Sequence, residues 1–378
     1  MRYFFKKEME CNAFIQLADL RCIKAPHSAF LTFAFAIFFI HASFSVAQNS
    51  YDNWQWKNRL QFGVDFDSNV EETRLNQKND GLSKFILESQ AKLTSQAYLI
   101  HLQYHGGLQY YFQTSDEHKM THDVSGTFVY QMLPKVRFGT RLWGRLKYFS
   151  GYDWHYFIKS SELFFTFDFL AAQLTSAYEN EGLNYLNYNQ FNFNTHHFYL
   201  VLVKRLAPPV TAQLKSGYHL INFQRNAISP KSQEIYIDYL DFRQRDDHYY
   251  FSIQGSLQKK VLSNLEYRFS RNLSNSYGFS YREHRVTLSL VCPLNEKFML
   301  RIYSGLQRKT YDEALNKIIV TEFDTEREIS NFFITDFSTE ISDKLSLLLR
   351  YSWYNNESPV PGRYYQKILA SVSLEYRF

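Results

Sequence analysis

The sequence predicts an all-β chain: a transmembrane, antiparallel, up-and-down β-barrel of about 16 strands (14–18), preceded by a cleaved signal peptide. Three observations carry this. Past residue 50, apolar and polar residues alternate with a period of two, the mark of strands with two different faces. Short and long connections then alternate between those strands, the pattern of a barrel whose two ends differ. Near the N-terminus lies one long apolar stretch with basic residues before it.

That stretch runs from Ala29 to Val46 and is broken by His41. Ser45-Val46-Ala47 before Gln48 has the small-x-small form of a cleavage site, so residues 1–47 read as a signal peptide and 48–378 as the barrel. A retained signal anchor is the competing reading. The segment before Ala29 is long for a signal, so Met9 is an alternative start. Two of the three cysteines, Cys11 and Cys22, fall in this segment. Cys292 is then alone, which excludes an intramolecular disulfide or a cysteine metal site. The full chain carries 42 Lys and Arg against 37 Asp and Glu, with no charge run, so nucleic acid is not an expected partner.

From Trp54 onward the alternation can be read strand by strand. Leu60, Phe62, Val64 and Phe66 alternate with Arg59, Gln61, Gly63 and Asp65. Val136, Phe138, Thr140, Leu142 and Leu146 alternate with Arg137, Gly139, Arg141, Trp143, Arg145 and Lys147. Leu345, Leu347, Leu349, Tyr351 and Trp353 share one face, with Leu348 an exception on the other. Short turns are expected near residues 95–96, 133–135, 171–173, 207–209, 262–264, 293–296 and 342–344. Longer links are expected at 67–83, 114–119, 151–155, 180–190, 224–245, 271–276, 310–324 and 355–363. Seven turns and eight links give sixteen strands, with both termini at the short-turn end.

A soluble sandwich is the main rival. Its strands are usually ~5–6 residues with more Gly and Pro at the turns, whereas this chain has 14 Gly and 8 Pro and strands of ten residues or more. Helical membrane bundles are excluded, since each helix needs ~20 consecutive apolar residues. Aromatic residues make up 18% of the chain and crowd the strand ends, as at Tyr110-Tyr111-Phe112, Tyr148-Phe149, Tyr249-Tyr250 and Trp353-Tyr354. Rings at headgroup level form interfacial girdles; a sugar-stacking track through the lumen is the alternative.

The chain ends Val372-Ser373-Leu374-Glu375-Tyr376-Arg377-Phe378. This alternating strand closing on Phe, with Leu374 and Tyr376 before it, resembles the assembly signal of bacterial outer-membrane β-barrel proteins. The resemblance implies recognition by the outer-membrane insertion machinery. Gly63-Val64-Asp65-Phe66-Asp67-Ser68-Asn69-Val70 is also similar to a first strand and loop of porin-like and exopolysaccharide-export barrels.

Lumen-lining selectivity candidates follow from the alternation. Arg137, Arg141, Arg145 and Lys147 share one face of one strand and would attract anions as a ladder. The plainer reading pairs them with Glu162 and Asp168 on the next strand, or Asp123 on the previous one. Arg268, Arg285, Arg301 and Arg350, with Glu266, Glu283, Asp336 and Glu340, extend a mixed lining. His101, His105, His118 and His122 lack a ligand spacing, so no metal is expected. His196 and His197 would point to opposite faces and cannot form one site. Ser274, Ser276 and His284 are near in sequence, but neither a catalytic motif nor a phosphate loop is present; no catalytic residue and no cofactor is expected.

The expected function is a porin-like channel for passive diffusion of small polar solutes in the outer membrane, not an enzyme. The alternatives are a barrel serving polysaccharide or surface-lipoprotein export and assembly, or a non-conducting structural barrel. Expected partners are outer-membrane lipid, lipopolysaccharide and the insertion machinery, with a homo-oligomer left open. The link 224–245 is expected to fold inward as a plug, because 151–155 is too short to do so.

Overall fold

The computed structural model describes residues 54–230, 237–313, 331–356 and 365–378. Lys57–Phe378 forms one compact unit, the barrel. Met1–Trp56 groups separately, and only its last three residues, the start of β1, are described. The expected signal peptide therefore lies outside the described residues.

Sixteen strands close into one ring. They are β1 (Trp54–Asp67), β2 (Asp80–Thr94), β3 (Tyr98–Tyr111), β4 (Lys119–Leu133), β5 (Val136–Phe149), β6 (Tyr156–Phe169), β7 (Ala172–Tyr185) and β8 (Phe193–Ala207). The second half comprises β9 (Val210–Pro230), β10 (Ile237–Gln258), β11 (Leu262–Ser274), β12 (Tyr281–Pro293), β13 (Phe298–Tyr311), β14 (Asn331–Glu340), β15 (Leu345–Asn356) and β16 (Tyr365–Arg377). Each strand is a neighbour of the next, and β1 pairs with β16 from Arg59↔Arg377 to Asp67↔Leu369. Closure removes the unpaired edges that an open sheet would expose.

Alternation decides the two faces. On β16, Ile368, Val372, Leu374 and Tyr376 are exposed, while Lys367, Ser371, Ser373 and Glu375 are buried. Phe62, Leu142, Leu163, Leu265 and Leu306 are all at least half exposed on the same outer face. A water-facing exterior of that kind would be costly; hydrocarbon covers it without cost. Polar and charged side chains turn inward, so this is an integral barrel of the outer-membrane type. Adjacent aromatics accordingly split between faces: Tyr110 and Tyr249 are exposed outside, whereas Tyr111 and Tyr250 are buried inside.

Polar bonds knit the closing seam from within. Lys84 on β2 reaches Asp65 at 2.8 Å and the Ser371 hydroxyl at 2.6 Å, and Lys367 reaches Asp67 at 3.0 Å. Phe378 exchanges two backbone bonds with Asn58 at 3.1 and 3.2 Å. The last residue of the sequence thus ends on the first strand.

Several expected links are shorter than read, with 80–83 in β2 and 271–274 in β11. Residues 180–185, read as link, continue β7, and the link is 186–192. The two ends of 224–245 are not loop but paired extensions of β9 and β10, with register shifts near Arg243 and Arg245. Nor does this ribbon hang free as a plug. Ile228 bonds to Ser276 and Tyr277, and Arg245 exchanges bonds with Asn275, so the ribbon is tied to the β11–β12 link. Arg225 and Asp238 are on it, whereas Lys231 and Glu234 lie outside the described residues. Conversely, the short 150–155 link contributes Trp154, stacked on Tyr188 at 4.0 Å and packed against Tyr156, Ile158, Leu183 and Tyr185. Those four are the inward residues at the long-link end, so apolar packing at the mouth comes from short links.

Candidate functional site: the lumen wall

Strand parity places Arg137, Arg141, Arg145, Lys147, Glu162, Asp168, Asp336, Arg350 and Arg301 on the inward face, since each pairs in register with an inward neighbour. The β5 arginines do not form a bare ladder. Arg137 donates to both carboxylate oxygens of Asp168 (3.0 and 3.1 Å) and Arg141 to both of Glu162 (3.2 and 3.0 Å). Arg145 forks onto Asp123 through Nε and Nη2 at 2.7 and 2.9 Å. Planar guanidinium and carboxylate groups match in this two-bond geometry. These are the carboxylates that the alternation placed within reach on the flanking strands, so the row is neutralised pair by pair.

Lys147 is buried above the Phe149 and Tyr156 rings, 4.9 and 5.9 Å from their centroids. Across the barrel, Arg350 forks onto Asp336 at 2.6 and 2.8 Å. Arg301 also faces Asp336 in register, yet its Nε lies on the Met299 sulfur at 3.4 Å. One carboxylate between two guanidiniums has bonded to the partner on β15.

The wall from β8 to β13 is built differently. His197 Nδ1 lies 3.0 Å from Glu179, and its Nε2 lies 3.0 Å from the Tyr250 hydroxyl. The His197 and His219 rings stack at 3.7 Å, and His248 meets His219 edge-on at 5.2 Å. Cations rest on tyrosine faces: Lys215 on Tyr199 at 4.4 Å, Arg268 on Tyr250 at 4.1 Å and Lys309 on Tyr281 at 3.9 Å. Tyr250 has room to lie flat because Gly217 faces it, where a Cβ would come within 2.5 Å of the ring. The inward tyrosines therefore hold cations as well as presenting apolar area.

Sequence reading missed this imidazole and tyrosine wall, because its members come from strands about 20 to 30 residues apart. The available signal was the short turn at Pro208-Pro209, from which equal counting pairs opposite residues. Equal counting puts residue 220 opposite His197. A register shift between Arg205 and Ala207 brings His219 there instead.

His101 and His105 face inward, with His105 on Glu88 at 3.1 Å, whereas His122 faces outward to Tyr104 at 2.9 Å. The four histidines do not converge, and among the described residues no group of side chains has metal-holding geometry. His196 and His197 do occupy opposite faces, His196 bonding outward to Tyr178 at 2.8 Å. Leu374, Tyr376 and Phe378 sit on the exterior of the closing strand, the last two rings 5.9 Å apart.

No protein-family model matches the chain, and no curated protein matches it. Solved structures do. OmpT of Vibrio cholerae, an outer-membrane protein, aligns at 8% identity and a TM-score of 0.47, over 88% of this chain and 99% of that one. A bacterial polysaccharide outer membrane secretin aligns at 8% identity and 0.43, over 85% and 98%. OccAB3 of Acinetobacter baumannii aligns at 10% identity and 0.41, over 86% and 99%. At this distance the lumen is read from the chain's own residues.

Proposed function

We propose that the barrel is a porin-like channel passing small polar solutes by diffusion. The observation that supports it most is a closed ring of sixteen strands lined by charges of both signs. Rings of 16–18 strands can hold an aqueous channel, while rings of about eight are filled by side chains. Paired charges keep a lumen wet without a strong barrier to either ion sign. Purified full-length protein in a planar bilayer should give steady, open conductance with modest ion selectivity. Folded protein, identified by heat-modifiable gel mobility, that stays silent would reject the channel reading in favour of an export or structural barrel.

Leu374, Tyr376 and Phe378 are proposed as the signal read by the insertion machinery before the strand closes on β1. Deleting Phe378 should lower the yield of heat-modifiable barrel in outer membranes. An unchanged yield refutes that role.

A further inference from the structure

Three arginine-bearing strand ends form a cationic band on the outside of the barrel, at the long-link end. On β11 the outward residues near that end are Arg271 and, beyond it, Leu273; on β12 they are Arg282 and His284; on β13 they are Arg308 and Thr310. In register, Arg282 faces Thr310 and His284 faces Arg308, so the side chains adjoin. They line an open cleft of about 610 Å³ with Tyr311 and Asp312.

The level of this cleft is fixed by what lies beneath it. Just toward the short turns, the outward residues become Phe269 and Tyr267 on β11, Val286 on β12 and Leu306 on β13. From Leu306 down to Phe298 the outer face of β13 spans eight residue steps. With strand tilt that is roughly 20 Å, close to the ~25 Å apolar band of such barrels. The arginines therefore sit at the upper edge of the hydrocarbon, where the headgroups of the outer leaflet lie.

Among the described residues of β11–β13, charge at this edge is unbalanced. Asp312 is the carboxylate in the cleft, and Arg271 already holds both its oxygens at 2.9 and 2.6 Å. That contact keeps the Asp312 carboxyl below its ordinary range, so it stays ionised. Glu313, next in the chain, accepts the Gly278 N–H. Arg282 acts on Asp312 through space, and among the described residues neither Arg282 nor Arg308 makes an ion pair. In the lumen, by contrast, Arg137, Arg141, Arg145 and Arg350 each bond both oxygens of a carboxylate. Two exposed guanidiniums, a histidine and a threonine hydroxyl at one point are donors for a multiply charged oxyanion.

We infer that the outer face of β11–β13 binds the phosphorylated headgroup of an outer-leaflet glycolipid, with Arg282 and Arg308 gripping a phosphoryl group while the acyl chains lie along Phe269, Val286 and Leu306. Free phosphate offers the same oxygens but no acyl chains. This site is on the opposite face of the wall from the channel and stands or falls without it.

The test uses the full-length barrel in lipid nanodiscs, with native mass spectrometry counting bound bisphosphorylated lipid A. The wild type should retain lipid A, and the Arg282→Ala/Arg308→Ala double variant should bind it at least about tenfold more weakly. Asp312→Asn, which frees Arg271, should bind more tightly. Heat-modifiable mobility confirms that each barrel is folded, and single-channel conductance should be unchanged because none of these side chains faces the lumen. Equal binding by wild type and double variant overturns the site. Equal binding of dephosphorylated lipid A overturns the phosphoryl contact. Displacement of lipid A by equimolar inorganic phosphate overturns the lipid assignment.

Discussion

The two sides of the lumen use the same cations in opposite ways. On β4–β7 every arginine of the β5 row is matched by a carboxylate on a flanking strand. On β8–β11, Lys215 and Arg268 rest on Tyr199 and Tyr250 and make no ion pair among the described residues. A forked pair is nearly neutral seen from the pore axis, whereas a cation on a ring keeps its full charge. The conspicuous arginine row is thus the weaker source of field, and the scattered cations on tyrosines are the stronger.

That contrast can be broken first at Tyr250. It is buried, bonds His197 through its hydroxyl and carries Arg268 on its ring. Tyr250→Ala should cost about 3 kcal/mol in urea unfolding from vesicles, the scale of an aromatic truncation in a packed site. Tyr250→Phe keeps the ring, and only about 1 kcal/mol should be lost.

Ion selectivity sharpens the contrast. Arg268→Gln removes a unit charge not ion-paired among the described residues, worth ~1 kcal/mol at ~4 Å in water, so the reversal potential should shift toward cations, by at most about fivefold in the anion-to-cation permeability ratio. The double variant Arg141→Gln/Glu162→Gln removes a neutral pair and should leave the reversal potential in place. A shift there as large as that of Arg268→Gln would mean that the β5 row does set the field. The smallest effect is expected at Arg137→Ala. Its partner Asp168 is 43% exposed near a short turn, so stability should change by less than ~1 kcal/mol.

Much of this was legible in the sequence because the period of two is local. Residue-by-residue alternation assigned the inward side chains of β5 and the outward apolar ones of β1, β15 and β16, including Leu348 as the buried exception. The partners of Arg137, Arg141 and Arg145 were also within reach of that reasoning. Each lies on the adjacent strand, across one hairpin, where parity leaves few carboxylates to choose from. Links were harder. Polar residues at 180–185 and at the two ends of 224–245 look like loop, yet they pair as strand because a ribbon beyond the bilayer no longer needs an apolar outer face.

The sequence by itself determined a barrel of about 16 strands (14–18), the two faces of strands such as β1, β5, β15 and β16, and which end carries the long links, since all three follow from spacing along the chain. Only the tertiary structure decided which residues meet. A single shifted residue between Arg205 and Ala207 sets His219 rather than Leu220 opposite His197, and with it the histidine stack. Closure set Asn58 against Phe378, more than 300 residues apart, and gathered Arg271, Arg282 and Arg308 from three strands at one headgroup level. The physical reason is that alternation fixes the direction of a side chain, while its neighbours depend on register, which bulges, turns and ring closure settle together.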